Sequence, residues 1–185
     1  MVNVQKDSLE DRATKLLDEL GIKGVPVPIE RVAKSLGARL SFSPLDEELS
    51  GMVFFKEGVP IIGVNSLHHP NRQRFTIAHE IAHLYLHRDQ ITNAVHVDKQ
   101  FAELILKRDA VSATGTERFE VEANQFAAAL LVPRSVLGEQ LKSTPIDIED
   151  ETALEQLAKS FRVSKSTLQY RIRNLSGEPR AEKRQ

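Results

Sequence analysis

Cysteine is absent from the 185-residue chain, which excludes disulfides, thiolate zinc sites and cysteine catalysis together. No apolar run approaches the roughly 18–20 residues that a membrane span needs. The first residues, MVNVQKDSLEDR, lack the apolar stretch of a secretion signal. These absences leave a cytoplasmic location as the expectation. A strong net charge is missing too: the formal balance is −1, with 41% hydrophobic residues, the composition of an ordinary globular protein. The length suits one domain, with room for a small appended subdomain, and can bury a sizeable core. There is no internal repeat, and the polar end SGEPRAEKRQ reads as a frayed tail.

What charge there is lies unevenly. From Gln156 onward eight Lys/Arg face two Glu, a balance of +6 that leaves −7 for the residues before it. A basic end of this size suits an acidic partner or nucleic acid, and equally a solvated helical face.

Local signals place the elements. SLEDRATKLLDELG begins at Ser8 with an acidic first turn and stops at Gly21, predicting a helix. Residues 29–36 repeat the pattern and stop at Gly37. ARLSFSP reads as a strand, and GMVFFKEGVPIIGVN as a hairpin turning near Glu57-Gly58. The polar loop SLHHPNRQ leads into a helix over RFTIAHEIAHLYLH. Beyond it AVHVDKQFAELILKR mixes strand and helix signals and SATGT reads as a loop. ERFEVEANQFAAALLV is a helix ended by Pro133, and helical patterns recur over 151–160 and 164–175. The predicted class is α+β, with a small antiparallel sheet between helices.

The helix over 74–87 carries His79-Glu80-Ile81-Ala82-His83, an HExxH pattern. At about 100° per residue, His83 lies only ~40° around from His79 and one turn along, so both imidazoles can reach one tetrahedral ion. Glu80, one step around, can act as a base toward a water activated at that ion. Five residues alone are a weak signal, and the surroundings strengthen it. Ile77, Ala78, Ile81, Ala82, Leu84 and Leu86 cover nearly the whole circumference, so this helix is buried. Buried histidines and a buried glutamate are costly unless something satisfies them, and a metal would. His87 faces roughly the same way as His79, as a supporting group or as a helix-end histidine. Asp89 and Leu86 stand where the extended HExxHxxGxxH pattern needs histidine and glycine, so that arrangement is absent.

A catalytic zinc needs a third protein ligand and an open position. ERFEVEANQFAAALLVP offers Glu120 and Glu122, which point about 200° apart on a helix, so one of them faces the metal. Glu120 is favoured because Asn124 lies at i+4 on its face and can hydrogen-bond a ligating histidine. Phe126, Ala127, Leu130 and Leu131 supply the apolar surface for packing onto the first helix. No donor for a tetrahedral oxyanion stands out. His69, Arg72 and His87 each have a more ordinary loop or helix-end role available, and Tyr85 points about 160° away from His83.

FTIAHEIAHLYLH followed by EVEANQFAAALLVP resembles the ImmA/IrrE family of zinc metallo-endopeptidases, and the resemblance covers most of the chain. It implies a zincin-like metalloprotease domain with a central HExxH helix, in which His79, His83 and Glu120 hold zinc and Glu80 is the general base. It also implies a protein substrate: members act on DNA-binding repressors of the Xre type in phage-immunity, mobile-element and stress-response switches. Ala82 stands where members often have glycine. The chain shows no N-terminal helix-turn-helix, so a repressor would be a separate protein. It also ends before the sensor-like domain that some members carry.

ALEQLAKSFRVSKSTLQYRIRNL has apolar or small residues where a helix-turn-helix needs them: Leu157, Ala158, Phe161, Val163, Leu168 and Ile172. Lys165, Gln169 and Arg173 would line an exposed face, although Arg162 occupies a turn position often given to glycine. The expected organisation is a zinc metallopeptidase domain over 1–145, an HTH-like helical subdomain over 146–176 and a disordered tail over 177–185. A zinc endopeptidase that cuts a repressor is the leading reading, with the hairpin at 52–65 offering an edge strand to the substrate. A zinc-bound antirepressor that does not cut, and a DNA-binding regulator with a vestigial metal site, are the alternatives.

Overall fold

The structure, a computed structural model, describes residues 8–91, 96–99, 110–143 and 150–176. In chain order these form α1 (Leu9–Glu19), α2 (Ile29–Ser35), β1 (Arg39–Ser43), β2 (Leu49–Lys56), β3 (Val59–Asn65), α3 (Pro70–Leu86), a short α4 (Arg88–Ile91), β4 (His96–Lys99), α5 (Ala110–Leu131), α6 (Arg134–Ser143), α7 (Glu151–Phe161) and α8 (Lys165–Ser176). The class is mixed α+β, as expected. The start of AVHVDKQFAELILKR is accounted for by β4. Residues 100–109, the 145/146 boundary and the tail over 177–185 lie outside the described residues.

Local chemistry sets several boundaries. The Ser8 side chain accepts from the Asp11 amide and the Asp11 carboxylate accepts from the Ser8 amide, a capping box that starts α1. Glu57 and Gly58 both have positive φ, 52° and 77°, the signature of a type I′ turn whose twist matches the hairpin strands. His69 caps α3 by accepting the Asn71 amide at Nδ1, and Pro70 occupies the first turn, where its missing N–H costs nothing.

Two expectations about the sheet are corrected. Its order is β1-β3-β2-β4, and β1 runs parallel to β3 while β2 runs antiparallel to both β3 and β4. The sheet is therefore mixed, not antiparallel. The segment 44–48 carries the chain from β1 past the end of β3 before β2 begins, and β3 then returns into the gap between them. A single buried side chain holds that crossing: Asn65 donates from Nδ2 to the carbonyls of Leu49 (2.9 Å) and Asp46 (3.1 Å). Its Oδ1 accepts from the amides of Leu67 (3.0 Å) and Leu45 (3.3 Å). Consequently β3 is an interior strand and β4 covers β2 over residues 49–53, so among the described residues the hairpin does not supply a full edge strand; the outer strands are β1 and β4.

The helix over SATGT is a further correction. Residues 112–116 belong to α5, because extending a formed helix by one hydrogen-bonded residue costs far less than nucleating it. Weak helix formers such as Thr and Gly subtract only ~1 kcal/mol or less each. A helix over Arg134–Ser143, unread in the sequence, follows Pro133.

Helix α3 is the axis of the molecule, packed on β2 and β3 and on α5, with α2 against it and α1 and α8 against α5. Ile77, Ala78, Ile81, Ala82 and Leu84 are buried and Leu86 half-buried, while Phe126, Ala127, Leu130 and Leu131 of α5 are fully buried. Burying side chains of the Leu, Ile or Phe size contributes about 1.5–3 kcal/mol each. Leu154, Leu157, Ala158, Phe161, Val163, Leu168 and Ile172 join the same apolar cluster.

Buried cations fasten this cluster at its margins. Arg74 donates to the carbonyls of Val27 (2.8 Å) and Arg162 (3.3 Å), and burial pulls its guanidinium below the ordinary arginine pKa. Arg171 donates to the Val132 carbonyl (2.9 Å) and to Glu10 (2.6 Å).

Candidate metal centre

One face of α3 and the facing turn of α5 build the site. The structure brings His79, His83 and Glu120 together, with one ligand atom of each inside a 4.8 Å sphere of mutual distances. The two Nε2 atoms lie 3.0 Å apart. Glu120 places Oε2 3.2 Å from Nε2 of His79 and Oε1 3.3 Å from Nε2 of His83. Bonds of about 2.0–2.1 Å to a tetrahedral ion require donor–donor separations of roughly 3.3–3.4 Å. The two imidazole nitrogens and the two carboxylate oxygens thus lie at separations close to those that one such ion requires. Two imidazoles and a carboxylate are also the donor types that suit zinc.

Both histidines are buried, at 3% and 1% exposure, whereas the Glu120 side chain is 33% exposed. Glu80 is fully buried, and Gly51 of β2 comes close above it. A Cβ on Gly51 would stand 3.5 Å from Oε1 of Glu80 and 2.8 Å from the Gly63 carbonyl oxygen, and would collide with the Thr76 methyl. Glycine at this point lets β2 lie against the face of α3 that carries Glu80. The sequence reading missed Gly51; an interior-strand glycine opposite a candidate site was the available signal.

Asn124 reaches His79: its Oδ1 lies 3.0 Å from Nδ1. With an acceptor there, Nδ1 carries the proton and Nε2 keeps its lone pair for a metal. Glu122, the alternative third ligand, goes elsewhere. Its Oε2 sits 3.0 Å from Nε2 of His87, and its Oε1 accepts from Nε of Arg118 at 2.8 Å. The Arg118 guanidinium, then the His87 ring, hold the Glu122 carboxyl below its ordinary pKa against the opposing effect of partial burial. His87 also meets His83, Nδ1 to Nδ1 at 3.3 Å, and its ring packs 4.6 Å from that of Phe119.

The remaining oxyanion candidates have other partners. His69 caps α3, Arg72 donates to the Ser50 hydroxyl at 2.9 Å, and Tyr85 stacks on Phe126 with Arg12 over its ring. At the C-terminal end, Lys165 lies 3.3 Å from Glu151 and 4.0 Å from Glu155, while Arg173 is exposed.

The family model Peptidase_M78, described as the IrrE N-terminal-like domain, matches residues 33–173. The Radiation response metalloprotease IrrE of Deinococcus radiodurans is 34% identical over 114 residues, which is 60% of this chain and 30% of that protein. A solved structure titled Mycobacterium tuberculosis transcriptional regulator superposes with a TM-score of 0.60 at 18% identity, covering 96% of this chain and 48% of that one. The latter likeness concerns the fold. The chain spans less than half the length of either relative. Among the described residues, no helix is long and apolar enough to cross a membrane.

Proposed function

The chain belongs to the Peptidase_M78 family, that of the IrrE N-terminal-like domain, and from this premise we propose that it is a zinc-dependent endopeptidase of zincin-like fold, acting in the cytoplasm on a DNA-binding repressor of the Xre type. The observation that carries the reading is the convergence of Nε2 of His79, Nε2 of His83 and the Glu120 carboxylate on one point, with buried Glu80 next in sequence to His79.

In this reading His79, His83 and Glu120 would hold the ion. When bound, zinc supplies a Lewis acid that activates water and polarises a peptide carbonyl. Glu80 receives the proton lost by the attacking water and passes it to the leaving amine. Asn124 keeps the His79 ring in the tautomer that leaves Nε2 free to ligate. Burial of the two imidazoles keeps bulk water from competing for their lone pairs. The choice of a repressor as substrate rests on the resemblance to the ImmA/IrrE family, and the description of a relative as a radiation response metalloprotease is compatible with it.

A non-cutting antirepressor would need the three ligands but not Glu80. Direct DNA binding through α8 is disfavoured because Lys165 faces Glu151 and Glu155 and Arg171 is buried against Glu10. The deciding test incubates wild type, Glu80→Gln and His83→Ala with a candidate repressor, with and without zinc. Cleavage by wild type alone, and only with zinc, is the expected result. Undiminished cleavage by Glu80→Gln would remove the base assignment, and displacement of the repressor from DNA without cleavage would establish the antirepressor.

A further inference from the structure

A line of hydrogen-bonding groups leads away from the site on the side opposite Asn124. It runs from Nδ1 of His83 to Nδ1 of His87 at 3.3 Å, and from Nε2 of His87 to Oε2 of Glu122 at 3.0 Å. It ends with Oε1 of Glu122 accepting from Nε of Arg118 at 2.8 Å. The chemistry of the far end dictates the near end. An arginine only donates, and an ionised carboxylate only accepts. Glu122 therefore requires the His87 proton on Nε2. In the neutral ring that leaves Nδ1 of His87 as an acceptor, which requires the His83 proton on Nδ1. His83 is then left with a lone pair on Nε2, the atom 3.3 Å from Glu120.

We propose that His87 and Glu122 are positioning residues which fix the tautomer and ring orientation of His83 for metal binding, as Asn124 does for His79. The inference rests on the peptidase reading only in taking His83 as a ligand. Two observations support it beyond the distances. The His87 ring is buried, at 4% exposure, and packed against Phe119, so its orientation is set by surrounding structure. Glu122 and Glu120 lie two positions apart on α5 and both turn toward α3, one to the supporting histidine and one to the ligating pair. A single helix thus delivers a ligand and two tautomer-setting acceptors, Asn124 and Glu122, to the two histidines of one HExxH segment.

The test measures zinc affinity of the full chain by competition with a chromophoric chelator, and records visible spectra of the cobalt(II) forms. Glu122→Leu and His87→Phe keep bulk but remove the acceptor. Each is expected to weaken zinc binding by about 10–100-fold and to change the cobalt bands, which report ligand geometry. Glu122→Gln in an Arg118→Met background leaves its one acceptor oxygen free for His87 and is expected to retain near wild-type affinity and spectrum. Urea midpoints of the zinc-free proteins separate a folding defect from loss of the site. Wild-type affinity and spectrum in both Glu122→Leu and His87→Phe would overturn the proposal. So would an equal loss in Glu122→Leu and the Arg118→Met, Glu122→Gln double variant, or a lowered midpoint with affinity unchanged. A wild type that binds zinc but cuts no protein would end the peptidase reading and leave this one standing, whereas a wild type without zinc affinity would end both.

Discussion

Asn124 presents Oδ1 3.0 Å from Nδ1 of His79, so a side chain on α5 determines where a side chain on α3 carries its proton. Removing that acceptor leaves the His79 ring free to turn or to change tautomer. Asn124→Leu is expected to lower zinc affinity by about 10–100-fold. Asn124→Asp, which keeps the acceptor, is expected to hold it. Titration against a metal chelator reads both.

Gly51 and Thr76 touch across the interface between β2 and α3. Gly51→Ala forces the strand and helix apart and is expected to destabilise the protein by about 1–3 kcal/mol, the usual cost of overpacking. Because the clash involves the Thr76 methyl, Thr76→Ser should recover part of the loss in a double-mutant cycle. Full additivity in urea unfolding would place the strain elsewhere.

Arg162 ends α7 in the left-handed conformation, φ 53° and ψ 48°, and the amide of Val163 closes back on the Ala158 carbonyl. Glycine meets no Cβ penalty in that conformation. Arg162→Gly is expected to raise stability by about 0.5–1 kcal/mol after the entropy it adds to the unfolded chain. The Arg74 bond is made to the backbone carbonyl of residue 162, so it survives the change, and a thermal melt suffices to check the sign.

The Asp11 carboxyl is held below its ordinary pKa by the Ser8 hydroxyl and then the Ser8 amide. A depressed carboxylate contributes stability that is present above the unfolded-state pKa and lost as pH falls through the folded one. Acid unfolding of wild type below about pH 4 should therefore include a contribution from the α1 cap. Asp11→Asn is expected to flatten the stability–pH curve in that window and leave its slope near neutrality unchanged.

The parts legible in the sequence were those with local causes. Ser8 and Gly21 bracket α1, Glu57-Gly58 turns the hairpin, and the all-round apolar cover of α3 announces its burial. HExxH spacing and the Glu120–Asn124 pair pointed to residues that the structure brings into one place. The misread parts depend on relations between distant segments. The parallel pairing of β1 with β3 is fixed by how Asn65 grips the 44–49 backbone, and a lone asparagine at a strand end carries no such message. Helical spacing placed Glu122 on the far side of α5 from Glu120. Yet the crossing of α5 over α3 brings its long side chain to His87, one turn past His83. Spacing along one helix does not encode the angle at which another crosses it.

The bond between Glu10 and Arg171 joins residues 161 positions apart. Ribosomal synthesis proceeds from the N-terminus, so α1 emerges long before the partner that anchors it. Until α8 has been made, the Glu10 carboxylate lacks its cation, the Val132 carbonyl lacks the Arg171 donor, and the apolar faces met by Leu168 and Ile172 stay open to water. Final closure of the core therefore waits for α8. Until then the nascent chain exposes apolar surface to chaperones and proteases.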